Sequence, residues 1–426
     1  MKRYLTGIDW VINSIDYLGK SQSGIGNVSE VIIELQGQLD DKILQDALRR
    51  FLQKLPLING LPSRDLNLCP YWKVFPQEKM LSPRINTTHL EDNTDSYLSL
   101  VTQVNEPFKN KREHLVFNLV RAGKRNLLGL TFDHRLLDAR GAEAFLDLFQ
   151  RYYQAGIIPQ VSLLEPSRLN HWLEKFMAGR QVNRFFLGLS KSSPRILPSY
   201  PGSRICKFKI ISFDVRQTNH IIEIAHEQAG YLMLMPFILA KTIQVLHHVF
   251  KAKNIPGLTY LVPVSIDTRT QERVHKELFF NHMSFFFFRI NADKAGEFKF
   301  LVADIKEQMY EQVKTGLSEA VKNASFLLRI APLPLVNFFL RLMLKKQFAS
   351  FSFSFVDSDY NSQKFMEEEV QNIWHLPRVP NPPGVGIFFN QFKGRINATL
   401  SYFEGVLSDN EVSQIVADID TIGNEG

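Results

Sequence analysis

The stretch TFDHRLLDARG, residues 131–141, brings together residue types that do acid–base chemistry. An imidazole, His134, stands four residues before a carboxylate, Asp138, at the end of the apolar run NLLGL, with Asp133 and Arg135 on either side. An imidazole is near neutral at physiological pH and can take a proton from a hydroxyl or amine as that group attacks a carbonyl. Such a base has to be aimed. Asp138 tied to a nearby cation would fix the turn, and Gly141 would let the chain bend into a helix. Spacing alone favours the plainer alternative, a charged turn leading into a helix, because short motifs of this kind recur without catalysis.

The elements that must position this turn are legible on either side of it. EHLVFNLVRAGKRNLLGLTFDH reads as two strands joined at AGKRN, and AEAFLDLFQRYYQAG as an amphipathic helix with Ala144, Phe145, Leu148, Phe149 and Tyr152 inward. Upstream, VSEVIIELQG alternates as a strand. The following helix buries Ile43, Leu44, Ala47, Leu48, Phe51 and Leu52, is capped by Asp40 and is ended by Pro56. Downstream, residues 216–252 carry two helical segments, GLTYLVPVS and NHMSFFFFRI read as strands, residues 296–325 as helix, and SFSFSFV as a strand with one polar face. Laid without a gap over LSYFEGVLSDNEVSQIVADI (400–419), the segment LTFDHRLLDARGAEAFLDLF (130–149) matches it in apolar positions, so both predict strand, polar turn and helix. The second copy has Glu404 where the first has His134.

A chain of 426 residues predicts two lobes. Hydrophobic residues at 45% and charged residues at 22% are ordinary for a globular protein, whereas 34 Phe would fill cores or line an apolar tunnel. The net charge of +7 comes from short basic groups, a solvated surface or an attraction for an anion such as a phosphate-bearing cofactor. No zinc spacing or aromatic sheet signature points to nucleic acid. Two cysteines, Cys69 and Cys206, make a reducing, cytoplasmic setting the default. The N-terminal stretch lacks the sustained apolar core of a signal peptide. The stretch IAPLPLVNFFLRLMLKK is too interrupted to span a bilayer, and packing between lobes or a weak membrane-surface contact are its two readings.

FDHRLLDARGAEAFL resembles the H-x-x-x-D-G motif of the coenzyme-A-dependent acyltransferase superfamily, which includes chloramphenicol acetyltransferase, condensation domains of peptide synthetases, alcohol acyltransferases and wax ester synthases. LTGIDWVI with VIIELQGQLDDKILQDALRRFLQKLPLING is similar to the opening of the two-lobed members, YLVPVSIDTR and FNHMSFFFFRI to their second-lobe strands, and GVGIFFNQFKGRINATLSYFEGVLSDNEV to their close. The resemblance implies an α/β fold of two chloramphenicol acetyltransferase-like lobes, each a mixed sheet with flanking helices, in a V-shaped pseudo-dimer. The first lobe would take residues 1–160, a linker 161–206 and the second lobe 207–426. His134 would be the general base and Asp138 a structural partner, with Asp133, Arg135 and Gly141 positioning the turn. Asn281, Ser284 and Ser354 would meet the substrate's oxyanion. The donor would be an acyl thioester of coenzyme A or of an acyl carrier protein, the acceptor an alcohol or amine. No metal or bound cofactor is implied, and a monomer is expected.

Three departures bear on that picture. Ala139 stands where the motif's glycine is usual, with Gly141 two residues later. Asp133 replaces the first residue of the double-His form, and Asn59 stands where an arginine often follows the first helix, which leaves Arg135 or Arg140 as partners for Asp138. LMLMPFILA lacks the Asn-Asp pair of wax ester synthases, so that branch is not assigned. A non-catalytic relative that binds an acyl or carrier-protein partner is the alternative. Other motifs carry less. LGKS lacks the earlier glycine of a phosphate loop, since Ser14 stands there. GIGN is a turn, His247 and His248 have no carboxylate at motif spacing, and His220 and His226 share no metal-binding pattern.

Overall fold

The structure is a computed structural model that describes residues 2–91, 97–123, 125–158, 171–190, 193–198, 204–343 and 349–424. The first lobe opens with β1 (Lys2–Tyr4) and α1 (Gly7–Ser23), whose N-terminus is closed by reciprocal bonds between Thr6 and Asp9. Strand β2 (Val28–Leu35) leads through the N-cap Asp40 into α2 (Asp41–Gln53). Leu44, Ala47, Leu48, Phe51 and Leu52 are buried there as expected. Ile43 is 52% exposed, because it sits at the rim of the arc those five define. Then come β3 (Leu61–Arg64), β4 (Pro70–Lys73), β5 (Arg84–Leu90), α3 (Tyr97–Val104), β6 (Leu115–Ala122), β7 (Arg125–Asp133) and α4 (Ala139–Ala155). Within the stretch 161–206 expected to be a linker, α5 (Trp172–Ser190) is a five-turn helix, and the Pro- and Ser-rich remainder lies largely outside the described residues.

The second lobe contains β8 (Cys206–Ser212), α6 (Val215–Ala229), α7 (Leu234–Ala252), β9 (Thr259–Asp267), α8 (Gln271–Val274), β10 (Met283–Asn291), α9 (Phe298–Lys314), α10 (Leu317–Leu328) and α11 (Leu333–Met343). The chain continues through β11 (Ser352–Asp357), β12 (Lys364–Phe365), β13 (Glu368–Pro377), β14 (Val385–Phe392), β15 (Arg395–Phe403) and α12 (Asp409–Thr421).

Among the described residues two six-stranded sheets form, in the orders β12-β13-β2-β7-β6-β5 and β10-β9-β11-β14-β15-β8, beside a small sheet β1-β4-β3. The run β2-β7-β6-β5 is antiparallel, antiparallel, parallel, and β8-β15-β14-β11 repeats those directions. Each run's first strand is followed by an Asp-capped helix, α2 after Asp40 and α6 after Asp214. The chain is therefore a two-lobed pseudo-dimer, as the overlay of 130–149 on 400–419 predicts. Sequence position alone misassigns one part. Residues 364–377 fall in the second lobe by number, yet β13 pairs antiparallel with β2 and so extends the first sheet.

Alternation along each strand sends one face to a helical layer. Val31, Ile33, Leu35, Leu128, Leu130 and Phe132 meet Phe51, Phe145 and Phe149 of α2 and α4. The second sheet packs Val262, Val264, Phe288, Ile387 and Leu400 on α6, α7, α9 and α12. A smaller cluster, with Ile32, Val120, Leu127, Trp374 and Leu100, takes in Phe208 and Ile210 of β8 and so ties the lobes together.

Candidate active site

The turn that carries His134 starts where β7 ends. The His134 N–H donates to the Asn27 carbonyl at 2.9 Å, and the Asp133 N–H to the His114 carbonyl at 2.9 Å, so neighbouring strands fix both residues. The Asp133 carboxylate is buried. It receives His114 Nδ1 at 2.8 Å and Arg135 Nε at 3.0 Å, and Arg135 lies 3.4 Å from Asp16 of α1. Burial opposes the Asp133 charge, but Arg135 and His114 outweigh it and hold the carboxyl well below the usual range. Asp133 and Arg135 thus tie the turn to His114 and to Asp16 of α1.

Asp138 is the N-cap of α4, accepting the Gly141 N–H at 2.7 Å. Its cation is neither Arg135 nor Arg140, as the sequence suggests, but Arg269, two residues beyond β9. One guanidinium nitrogen, Nη2, donates to both Asp138 oxygens at 2.8 Å, and the His282 N–H adds a third bond at 3.1 Å. Arg269 also donates to the Glu277 carbonyl at 2.8 Å and pairs with Asp267. Arg140 is held instead by Asp359 and Asp267. Burial works against the Asp138 charge, yet Arg269 and then His282 lower its pKa below the ordinary value. The Asn59 side-chain oxygen accepts the Leu81 N–H, and Asn59 makes no bond to Asp138. The shifted glycine has its own reason, since a Cβ on Gly141 would lie 2.2 Å from the Leu278 carbonyl oxygen, whereas Ala139 is half-buried. Gly141 lets the segment 278–282 close on the turn.

That segment brings Asn281 to the histidine. The Phe280 N–H donates to the Leu136 carbonyl at 2.6 Å, and the Asn281 N–H to Asp9 of α1 at 3.1 Å. Phe280 adopts a positive φ of 72°, with the Arg3 guanidinium 3.5 Å from its ring centre. The Asn281 amide reaches His134 twice. Its Nδ2 donates to the His134 carbonyl at 2.9 Å, and its Oδ1 lies 3.2 Å from Nδ1 of the ring. The first bond assigns the amide orientation and makes Oδ1 face the ring, so Nδ1 must carry the hydrogen. The lone pair is then on Nε2, which has no hydrogen-bond partner among the described residues. A half-buried imidazole with one nitrogen tied and the other open can accept a proton.

The remaining expected residues divide. Asn281 joins His134, but its amide is spent on the histidine rather than turned to an oxyanion. Ser284, fully buried, donates its hydroxyl to the Ser318 carbonyl at 2.8 Å. Ser354 is half-buried on β11, opposite Phe388 of β14 and on the face away from Phe353. Sequence reasoning did not assign Arg269, Asp9 or His114 to the site. Beside the turn a cleft of ≈ 210 Å³, open to solvent, is lined by Asp138, Arg140, Ser265, Asp267, Met283 and Phe355 among others.

No family model matches the sequence, and no curated protein matches it. Solved structures do. The first condensation domain of the calcium-dependent antibiotic synthetase, in complex with a substrate analogue, superposes with a TM-score of 0.70 at 13% identity, covering 99% of this chain and 96% of that one. The trichothecene 15-O-acetyltransferase of Fusarium sporotrichioides gives 0.69 at 12% identity, covering 99% and 94%. The cyclization-docking bidomain EpoB of Sorangium cellulosum gives 0.65 at 14%, covering 99% and 84%. A pseudo-dimer of mixed sheets and these superpositions agree: the chain has the two-lobed fold shared by that condensation domain and that O-acetyltransferase.

Proposed function

We propose that the protein transfers an acyl group from a thioester, of coenzyme A or of an acyl carrier protein, to an alcohol or amine, with His134 as general base. The observation that carries this is the Asn281 amide, which pins the proton on Nδ1 and leaves Nε2 open as the acceptor. Nε2 takes the acceptor's proton while its oxygen or nitrogen bonds to the thioester carbonyl carbon. The tetrahedral oxyanion then collapses, the carbon–sulfur bond breaks and the leaving thiolate takes the proton back from Nε2. Ester or amide and free thiol are the products, with no acyl-enzyme. Asp138 acts at a distance. Clamped by Arg269 and capping α4, it holds the turn rather than touching the reacting atoms. The condensation domain and the O-acetyltransferase that share the fold support this reaction class.

The test is a screen of thioester donors of varied chain length against alcohol and amine acceptors, followed by His134→Ala. Loss of transfer by about 10²-fold or more, with an unchanged unfolding curve, is expected. Full turnover in that variant refutes the assignment, and no transfer with any pair favours a protein that binds an acyl or carrier partner without catalysis.

A further inference from the structure

Helix α5 (Trp172–Ser190) is amphipathic in an unusual direction. Its inner side is settled. Lys175 is buried with its ammonium 5.0 Å from the Phe326 ring centre on α10, and a Cβ on Gly179 would meet Leu327 at 3.2 Å. Phe186 packs edge-on against Phe287 of β10 at 5.1 Å, and Leu189 is buried. The outer side should then be polar. It carries Trp172, Leu173, Phe176 and Met177 instead, exposed by 65, 57, 49 and 62%. Arg180 and Arg184 are exposed as well. At about 100° per residue these six side chains fall within an arc of about 140°. Glu174, the acid of the first turn, lies outside that arc and is paired with His171 at 3.6 Å. Neighbouring α11 adds exposed Leu335, and the turn before it exposed Ile330. In sequence the stretch 330–346 holds Arg341, Lys345 and Lys346 and no acid, within a chain of net charge +7.

We propose that this outer face of α5 docks on a lipid surface bearing anionic headgroups. Four large apolar side chains, one a tryptophan, interleaved with arginines whose stems are long enough to keep the charge at the headgroups, are the chemistry of a helix that lies in the plane of a membrane interface. Because α5 is already packed on one side against α10 and β10, the proposed contact is peripheral. Charge decides between membranes, because a basic face gains on an anionic surface and not on a neutral one. The inference is independent of acyl transfer and is read without turnover.

The test is co-sedimentation of the full chain with phosphatidylcholine vesicles and with vesicles containing about 30% phosphatidylglycerol, where each basic residue is expected to add about fivefold to partitioning. Binding to the anionic vesicles is expected, reduced at least about tenfold in Phe176→Glu/Met177→Glu. Arg180→Glu/Arg184→Glu is expected to lose the preference for phosphatidylglycerol. Leu173→Ser, a single exposed change, serves if the double variants melt differently from the parent. No binding to either vesicle, binding unchanged in the variants, or capture of an acidic carrier protein by this face without vesicle binding overturns the proposal.

Discussion

The turns at 131–141 and 401–411 have nearly the same backbone and opposite investments. Each ends an edge-protected strand, β7 or β15, and starts a helix whose N-cap side chain accepts an N–H three residues on, Asp138 from Gly141 and Ser408 from Glu411. In the second turn the side-chain links are short in sequence or lie at the surface. Glu411 reaches back to the Ser408 N–H, Glu404 bridges to Leu407, and Glu404 forms an exposed pair with Lys207. In the first turn the corresponding groups reach across the molecule. Leu137 bridges to Phe279 and Phe280, Asp138 binds Arg269, and His134 binds Asn281. One supersecondary plan thus serves as a plain corner or as an aimed base, depending on what a distant segment brings to it.

The sharpest way to break this contrast is Arg269→Ala, which leaves the buried Asp138 carboxylate without its cation. The expected loss is about 3–5 kcal/mol in urea unfolding, with acyl transfer falling as the turn loosens. A loss below 1 kcal/mol would place the two turns on equal terms. The pairing is pH-linked: because the folded Asp138 pKa is depressed, its contribution is whole above about pH 3.9, the unfolded value, and disappears as pH falls through the folded one.

Next is Glu30, fully buried on β2 opposite Thr131 of the strand that feeds the first turn. Burial, only partly offset by bonds from Asn118 and Thr131, pushes its carboxyl up to about 8. Between about pH 4.3 and that value the folded chain holds a proton the unfolded chain has lost, so stability falls as pH rises. Glu30→Gln should abolish that slope in unfolding curves taken from pH 5 to 8, and an unchanged slope would contradict it.

Asn281→Ala is expected to lower kcat by up to about 100-fold with KM little changed, since the imidazole stays but loses its aim. A pH–rate profile should change with it, whereas a purely structural role would move only the unfolding curve. In the second turn Ser408→Ala should cost about 1 kcal/mol as a lost cap, and Glu404→Gln well under 1 kcal/mol as an exposed pair. Neither should alter turnover.

The spacing of His134 and Asp138, the strands around them and the internal duplication are legible in sequence because each is local: alternation, a helical arc, a cap and a glycine. What was not legible is what the chain brings from far away. Arg269 is 131 residues from Asp138, and nothing in SIDTR distinguishes it from a surface arginine until β9 and β10 place it. Arg135 and Arg140, nearer in sequence, already serve Asp133 and Asp359. EEVQNIWHLP forms β13, and the sheet it joins depends on the pairing of Val370 with Leu35, hundreds of residues away in sequence. Ser284 was suggestive as a hydroxyl beside Asn281, and only the fold shows its proton committed to Ser318.

That pairing of β13 with β2 has a consequence for how the protein is made. Strand β2 leaves the ribosome early, yet one of its hydrogen-bonding edges is filled only when residues 368–377 have been synthesised. Until then the first lobe carries an open, apolar strand edge, Val31 and Ile33 included, of the kind that chaperones shield and that other chains can pair with. The two lobes are therefore one folding unit in time, and cutting the gene between them would yield an N-terminal half whose sheet is missing two strands, β12 and β13.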